Sequence, residues 1–436
     1  MPTVLNIKPE EVDSTEKRSK FLVSVVGCGQ KGMLFAFAFA NAGFKVTCCD
    51  ADASVIKKLA KGKTPFLQTA DGNLRSLITH GQLIASNELK KSVSKSDIII
   101  VTVPPIVNDK KKIDYSEALN ACKQVGSALH TGSLVIYGDI VGFGFTESVA
   151  KETLENTSGL KAGIDFGLAY VPIYYSVANC ELNVAGVGKA SLDATTNIIR
   201  TLNGNVRQVS GVKTAELATL FWVAKQDADT ALANELAIFC ENANTDYFEV
   251  LKLLDLESKS FWPTAVEEEN KEYAYLLLES ADSINAKLRL PALSRQINED
   301  MVKHAISLTQ DALRSCGKTL RRSRVAVLGT VSLTNATGIF VKMLELKGAK
   351  VNLFDPVSKR ESLETTVAKS SLNEAVEGTD CIIILTRKEQ LSNLNLKKLK
   401  PLTRAPSVIV DLAGVYEPQK AETEGFLYRG LGRGTR

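Results

Sequence analysis

Between Phe21 and Gly32 the chain reads FLVSVVGCGQKG, an apolar run that opens into glycines at 27, 29 and 32. The spacing suits a strand, a tight turn and the start of a helix, here MLFAFAFANAG. In such a turn the first glycine permits the bend and the second lets backbone approach a pyrophosphate. The third lets helix and strand pack closely. Cys28, Gln30 and Lys31 share the turn and belong to the same expected cofactor contact. The phosphates would sit at the positive end of the helix. A second strand, KVTCCD, ends on Asp50, 23 positions after Gly27. A carboxylate there accepts both ribose hydroxyls of NAD and repels the extra phosphate of NADP. The alternative is a glycine turn in an ordinary α/β unit.

The elements that must hold this turn are visible as apolar runs. Strands are expected at Phe21–Val26, Lys45–Cys49, Asp97–Val103, Ser133–Asp139 and Asp165–Val171. Continuous runs such as IIIVTV suit a parallel sheet buried on both faces. From about Ser191 to Ser315 apolar residues recur at helical spacing, as in VKTAELATLFWVAKQDADTALANELAIFCENA, and strand signals vanish. The long central helix is expected to form a homodimer seam, although an amphipathic face alone shows only burial. Strands return at Arg324–Gly329, Lys350–Phe354, Cys381–Thr386 and Ser407–Asp411. The expected domains are a charged leader (1–20), a dinucleotide-binding domain (21–190), a helical dimerisation domain (191–318) and a smaller α/β domain (319–436).

Composition narrows the classes. A length of 436 residues accommodates two or three domains, and 44% apolar with 23% charged residues is ordinary for a globular chain. Net charge is +4, and the single short basic run, Lys110–Lys112, reads as a solvated loop, so nucleic acid is not expected as a partner. No stretch is apolar enough to span a bilayer, and the amino terminus lacks a signal-peptide pattern, so neither membrane nor secretion is expected. The 8 cysteines are scattered, with no Cys-x-x-Cys pair, and the 3 histidines are isolated, so no metal is expected. Buried, reduced thiols and a cytoplasmic location follow.

Several stretches resemble the UDP-glucose/GDP-mannose dehydrogenase family in order and spacing. GFKVTCCDADASVIKKLAKGKTP resembles its second strand and following helix, and GLKAGIDFGLAYVP its approach to the active site. VKTAEL and ALANELA resemble the ends of its central helix, LRLPALSRQINEDM the helix after its catalytic loop, and VNLFDP and GFLYRGLGRG its C-terminal domain. The N-acetylmannosamine branch is the most similar. The resemblance implies an N-terminal Rossmann domain, a central all-helical domain and a C-terminal Rossmann-like domain. It also implies NAD, a UDP-sugar substrate and a place in polysaccharide biosynthesis. The implied chemistry is two hydride transfers from a primary alcohol, with a cysteine capturing the aldehyde as a thioester.

The positions implied for that chemistry hold other residues. Glu269, within the run Glu267–Glu269, stands near the cysteine's place, and no cysteine lies between Cys240 and Cys316. The lysine and asparagine that stabilise an oxyanion fall on Thr219 and Val223. An acid falls on Ile173, a hydroxyl pair on Asp139 and Ile140, and two arginines near Thr334 and on Ala413. These substitutions suggest a decayed sugar-diphosphate site. Three readings stay open. The chain is a non-catalytic member acting by itself or beside an active relative. It is an NAD enzyme of altered chemistry with Asp139 or a glutamate of 267–269 as base. Or it is an ordinary member drawing its thiol from Cys180 or Cys240.

Overall fold

The computed structural model describes residues 4–64, 71–108, 110–173, 181–254, 261–266, 273–329, 336–356 and 368–434. It divides into two compact units, Met1–Trp222 with Tyr275–Ala286 and Val223–Ala274 with Lys287–Arg436.

The first unit is built on eight strands: β1 (Leu22–Val26), β2 (Lys45–Cys49), β3 (Leu83–Ser86), β4 (Ile98–Val101), β7 (Leu134–Tyr137), β8 (Gly167–Tyr170), β9 (Leu182–Gly186) and β10 (Val206–Gln208). A separate short ladder pairs β5 (Ile106–Val107) with β6 (Ile113–Asp114). The sheet order is β10-β9-β8-β7-β4-β1-β2-β3, parallel throughout except where β9 runs against β8. Every residue of β4, β7 and β8 is buried, because crossover helices cover both faces. The helix Gln30–Asn41 packs on β1 and β2 through Phe35 and Phe39, and Phe39 meets Phe44 edge-on at 5.1 Å. Gly43, at φ +100°, ends that helix in a conformation other residues resist.

Two of the expected segments gain detail here. Residues 4–20, within the charged leader, pack on the body of the first unit. Val4, Leu5, Ile7 and Val12 are buried, Val4 N–H donates to Gly132 O at 3.1 Å, and Asn197 Nδ2 donates to Ile7 O at 3.0 Å. Four apolar residues spaced among charges suffice to hold the segment against the body. The sheet also continues past the expected boundary at 190. Helix Lys189–Asn203 packs on β8 and β9, and β10 closes the edge. The three residues of β10 are largely exposed, so no apolar run announces that strand.

From Val212 to Ser315 the described residues form helices and no strand. The long helix Val212–Asn242 lies in this helical central region, and the division between the two units falls within it. In the second unit, buried polar groups tie it to helix Arg289–Ser315. Arg295 pairs with Asp227 at 2.7 Å, Asn298 Nδ2 donates to Asp227 at 2.9 Å, and Asn234 Nδ2 donates to Asn298 at 2.9 Å. The second sheet holds β11 (Arg324–Leu328), β12 (Lys350–Phe354), β13 (Cys381–Ile384), β14 (Val408–Asp411) and β15 (Leu427–Gly430). Its order is β12-β11-β13-β14-β15, all parallel. The described cysteines are unpaired thiols, buried except for the half-buried Cys316.

In the first unit, Glu216 anchors the turn after β7. Its buried carboxylate accepts Gly144 N–H at 2.7 Å and Thr146 N–H at 2.8 Å. Burial outweighs those donors and raises its pKa from 4.5 to about 7. The folded state therefore holds this proton more tightly than the unfolded chain does. Its contribution, on the order of 3 kcal/mol, is complete below the unfolded pKa and is lost as pH rises through the folded value. Melting between about pH 5 and about pH 7.5 should vary less in Glu216→Gln than in wild type. Parallel melting curves for the two would remove Glu216 as the source.

Candidate functional site

The glycine turn sits where the sheet order reverses, beyond the carboxyl ends of β1 and β4. Gly27, at φ +94°, donates its N–H to Cys49 O at 2.8 Å, and Thr102 Oγ1 donates to Gly27 O at 2.8 Å. A Cβ on Gly32 would overlap the Gly27 carbonyl oxygen. Those two glycines are required by the protein's own packing. Gly29 differs. It caps the helix Gln30–Asn41, is exposed, has φ −67°, and a Cβ there would meet nothing within 4 Å. The first intrahelical bond runs from Met33 N–H to Gly29 O at 2.9 Å, so the helix start presents its amides to this open side. An open backbone approach at a helix start fits a dinucleotide pyrophosphate.

Asp50 lies at the end of β2 and is half-buried. Its Oδ2 accepts Cys28 N–H at 2.7 Å and its Oδ1 accepts Asp52 N–H at 2.9 Å. Each oxygen keeps a lone pair for a ribose hydroxyl. Cys28 is buried, and its thiol is held far above its ordinary pKa by the hydrogen bond with Cys48 and by burial. It is a packing residue and no nucleophile. Gln30 is exposed beside Gly29. Lys31, expected at the cofactor contact, turns its side chain inward, and its ammonium pairs with Asp139 beyond β7. Asp139 Oδ1 also accepts Ile140 N–H at 2.7 Å.

The remaining sequence-derived positions are placed as follows. Thr219 is buried and donates its hydroxyl to Ala215 O one turn back, at 2.8 Å. Val223 and Ile173 are buried apolar side chains. Cys240 is buried with its thiol pKa raised by desolvation. Glu267–Glu269, Cys180 and Thr334 lie outside the described residues. No group of His, Cys, Asp or Glu among the described residues is arranged to hold a metal, and no described helix is long and apolar enough to cross a membrane.

The second unit holds a cavity of 710 Å³ that sequence reasoning did not anticipate. It opens beyond the carboxyl ends of β13 and β14 and is lined by Trp262, Thr264, Leu385–Lys388 and Leu412–Val415. Asp411 shapes one wall. Buried at the end of β14, it accepts Val415 N–H at 2.7 Å, Tyr416 N–H at 2.8 Å and Tyr428 Oη–H at 3.1 Å. Burial still raises its pKa. Asn234 Oδ1 accepts Thr264 N–H at 2.7 Å and fixes another wall. Arg387 and Lys388 bring two cations. The available signal was Thr-Arg-Lys directly after the apolar run CIIIL.

The two kinds of glycine give a paired expectation. Gly32→Ala should cost about 3 kcal/mol of stability, since backbone must move to admit the methyl group. Gly29→Ala should cost within about 1 kcal/mol, a helix-cap effect, yet weaken NAD in a thermal-shift titration. Undiminished NAD binding in Gly29→Ala would mean that the open side is not the pyrophosphate approach.

Comparison with known proteins agrees with this geometry. Residues 21–180 match the NAD binding domain of the UDP-glucose/GDP-mannose dehydrogenase family, and residues 336–418 match its UDP binding domain. The chain is 26% identical to UDP-N-acetyl-D-mannosamine dehydrogenase of Pyrococcus horikoshii, with 94% of this chain and 99% of that protein covered. It is 25% identical to UDP-N-acetyl-D-glucosamine 6-dehydrogenase of Pseudomonas aeruginosa, with 92% and 98% covered. Among solved structures, UDP-D-ManNAc dehydrogenase of P. horikoshii superposes with a TM-score of 0.81 at 24% identity, covering 94% of this chain and 99% of that one. A UDP-glucose dehydrogenase from Pyrobaculum islandicum gives 0.79 at 18%, covering 94% and 98%. With both domain models matched in order and a fold shared over nearly its whole length, the chain belongs to the UDP-glucose/GDP-mannose dehydrogenase family, and its first unit carries that family's NAD-binding domain.

Proposed function

We propose that this chain binds NAD and a nucleotide but does not run the cysteine-dependent double oxidation implied by its family. The observation that carries this reading is the lack of any cysteine between Cys240 and Cys316. A thioester cannot form without a thiolate in reach of the aldehyde. The state of the other groups supports it. The Thr219 hydroxyl bonds its own helix, and Val223 and Ile173 offer no donor or acid. Burial raises the Cys240 thiol pKa, which disfavours its thiolate. Bound NAD would supply a hydride acceptor, while the chain's own residues supply the open backbone at Gly29 and the ribose acceptor Asp50.

A second reading rests on the buried Lys31–Asp139 pair. An acid and an ammonium beside the cofactor turn suit proton transfer in a single NAD-linked oxidation of a UDP-sugar, similar to the first step of a UDP-N-acetylmannosamine 6-dehydrogenase. Incubating the protein with NAD and a panel of UDP- and GDP-sugars, with NADH followed optically, separates the readings. The expected result is a thermal shift from NAD without turnover. One NADH per sugar favours the second reading. Two per sugar would overturn the proposal. A non-catalytic member would act in polysaccharide biosynthesis as a regulatory or structural partner, beside itself or an active relative.

A second copy of the chain is the partner that the long helix suits. On Val212–Asn242 the side chains of Phe221 (58%), Leu232 (48%), Leu236 (43%) and Phe239 (68%) are solvent-exposed. At 3.6 residues per turn they fall within about 60° of arc, forming one apolar stripe. Light scattering is expected to report two chains for wild type and one for the double variant Leu236→Glu, Phe239→Glu. A wild-type monomer would end this reading.

A further inference from the structure

The cavity in the second unit contains one cation that no described carboxylate meets in an ion pair, although the buried Asp411 acts on it at longer range. Lys388 Nζ lies 3.0 and 3.1 Å from the two oxygens of Asp355, so that lysine is matched. Arg387 forms no ion pair among the described residues. Its Cζ stands 3.1 Å from the centroid of the Trp262 ring and 5.2 Å from that of Phe248. Its Nε donates to the Ala413 carbonyl. Two aromatic rings and one carbonyl thus fix the plane of the guanidinium. The Nη edge passes over Gly414, at φ +61°, where a Cβ would stand 2.8 Å from Nη2. Glycine at that position leaves room for the Phe248 ring, which a Cβ would meet first, and for the guanidinium.

A second polar residue lines the same cavity. Thr386 Oγ1 is buried and makes no hydrogen bond among the described residues. A buried hydroxyl without a partner costs free energy unless something reaches it. Burial lowers the Arg387 pKa to about 10, which leaves it charged at neutral pH. A preorganised guanidinium beside a donor hydroxyl matches the geometry of phosphate oxygens.

We propose that Arg387, clamped between Trp262 and the Ala413 carbonyl, is the residue that binds the diphosphate of a nucleoside diphosphate in this cavity, with Thr386 donating a further hydrogen bond. The inference rests on the nucleotide-binding part of the proposed function, and it assigns the anion contact to a residue outside the positions the family resemblance implied. Specificity follows from the fork geometry. A monophosphate or a nucleoside without phosphate gains less from it.

Calorimetric titration of the full-length protein with UDP, GDP, uridine and inorganic pyrophosphate tests the assignment, using wild type, Arg387→Lys and Arg387→Gln. Wild type should bind UDP or GDP more tightly than uridine. Arg387→Gln should weaken the nucleoside diphosphate roughly tenfold to a hundredfold and leave uridine binding unchanged. Arg387→Lys should fall between, since it keeps charge and loses the fork. Thermal melts of each variant show whether it is folded, and Arg387→Lys carries the test if Arg387→Gln is not. Equal weakening of UDP and uridine would mean a structural role and overturn the inference. So would wild-type UDP affinity in Arg387→Gln, with the nucleotide reading left standing. Wild type binding neither UDP nor GDP would overturn both.

Discussion

The approach of the helix Gln30–Asn41 to strand β1 is the constraint on which the first unit depends. At Gly32 the helix backbone touches the Gly27 carbonyl, and Thr102 closes the same contact from β4. No side chain fits between them. Moving either element would displace β1, an interior strand of the sheet, and with it the crossing point that defines the ligand crevice. Two of the three glycines are therefore kept by packing alone. Asp50 has a comparable internal duty, because it fixes the turn through Cys28 N–H. Gly29 alone has no internal reason to be glycine, so the case for a ligand rests more heavily on it than on the pattern as a whole.

That separation changes what the chain's altered residues mean. The family's chemistry needs a thiol, oxyanion donors and an acid, and the implied positions at 173, 219 and 223, which are described, hold side chains that already have a protein partner or are apolar. Thr219 bonds its own helix. Asp139 holds Lys31 in a buried pair, and this joins the cofactor turn to the β7 turn by charge. A buried pair of this kind needs both members, since removing one leaves an uncompensated charge that costs several kcal/mol. Asp139 stands at a departure from the family pattern, and Lys31 of the glycine turn answers it electrostatically.

Much of the architecture was legible because the central strands are buried on both faces. IIIV and LVIY can be little else in an α/β chain, and β2 and β12 ran to the expected residues. The edges were not legible. β3, β10 and β15 expose residues, so their strand character comes from the neighbour they pair with rather than from an apolar run. The first 20 residues read as charged because their four buried apolar side chains show no period. At the candidate site, the glycine turn and Asp50 were legible as local patterns. The Lys31–Asp139 pair was not legible, since its partners lie 108 residues apart. Arg387 was missed because attention to positions 334 and 413 asks which residue stands at a place in the chain, whereas a cavity asks which atoms reach a place in space.

This distinction decides how the two kinds of missing residue are weighed. A cation that holds a phosphate acts through a long side chain and a field that falls gradually with distance. It can be supplied from a neighbouring loop, and Arg387 reaches over Ala413 from the loop after β13 while the β14 loop has no arginine of its own there. A nucleophile has no such freedom. It must lie within about 3.5 Å of the carbon it attacks, along a restricted direction, with its base and oxyanion donors placed to match. Substitution of an expected arginine is therefore weak evidence that an anion site has decayed. The lack of any cysteine across the whole stretch from Cys240 to Cys316 is stronger evidence that the thioester step is gone. Ligand binding and turnover are separable on this physical ground.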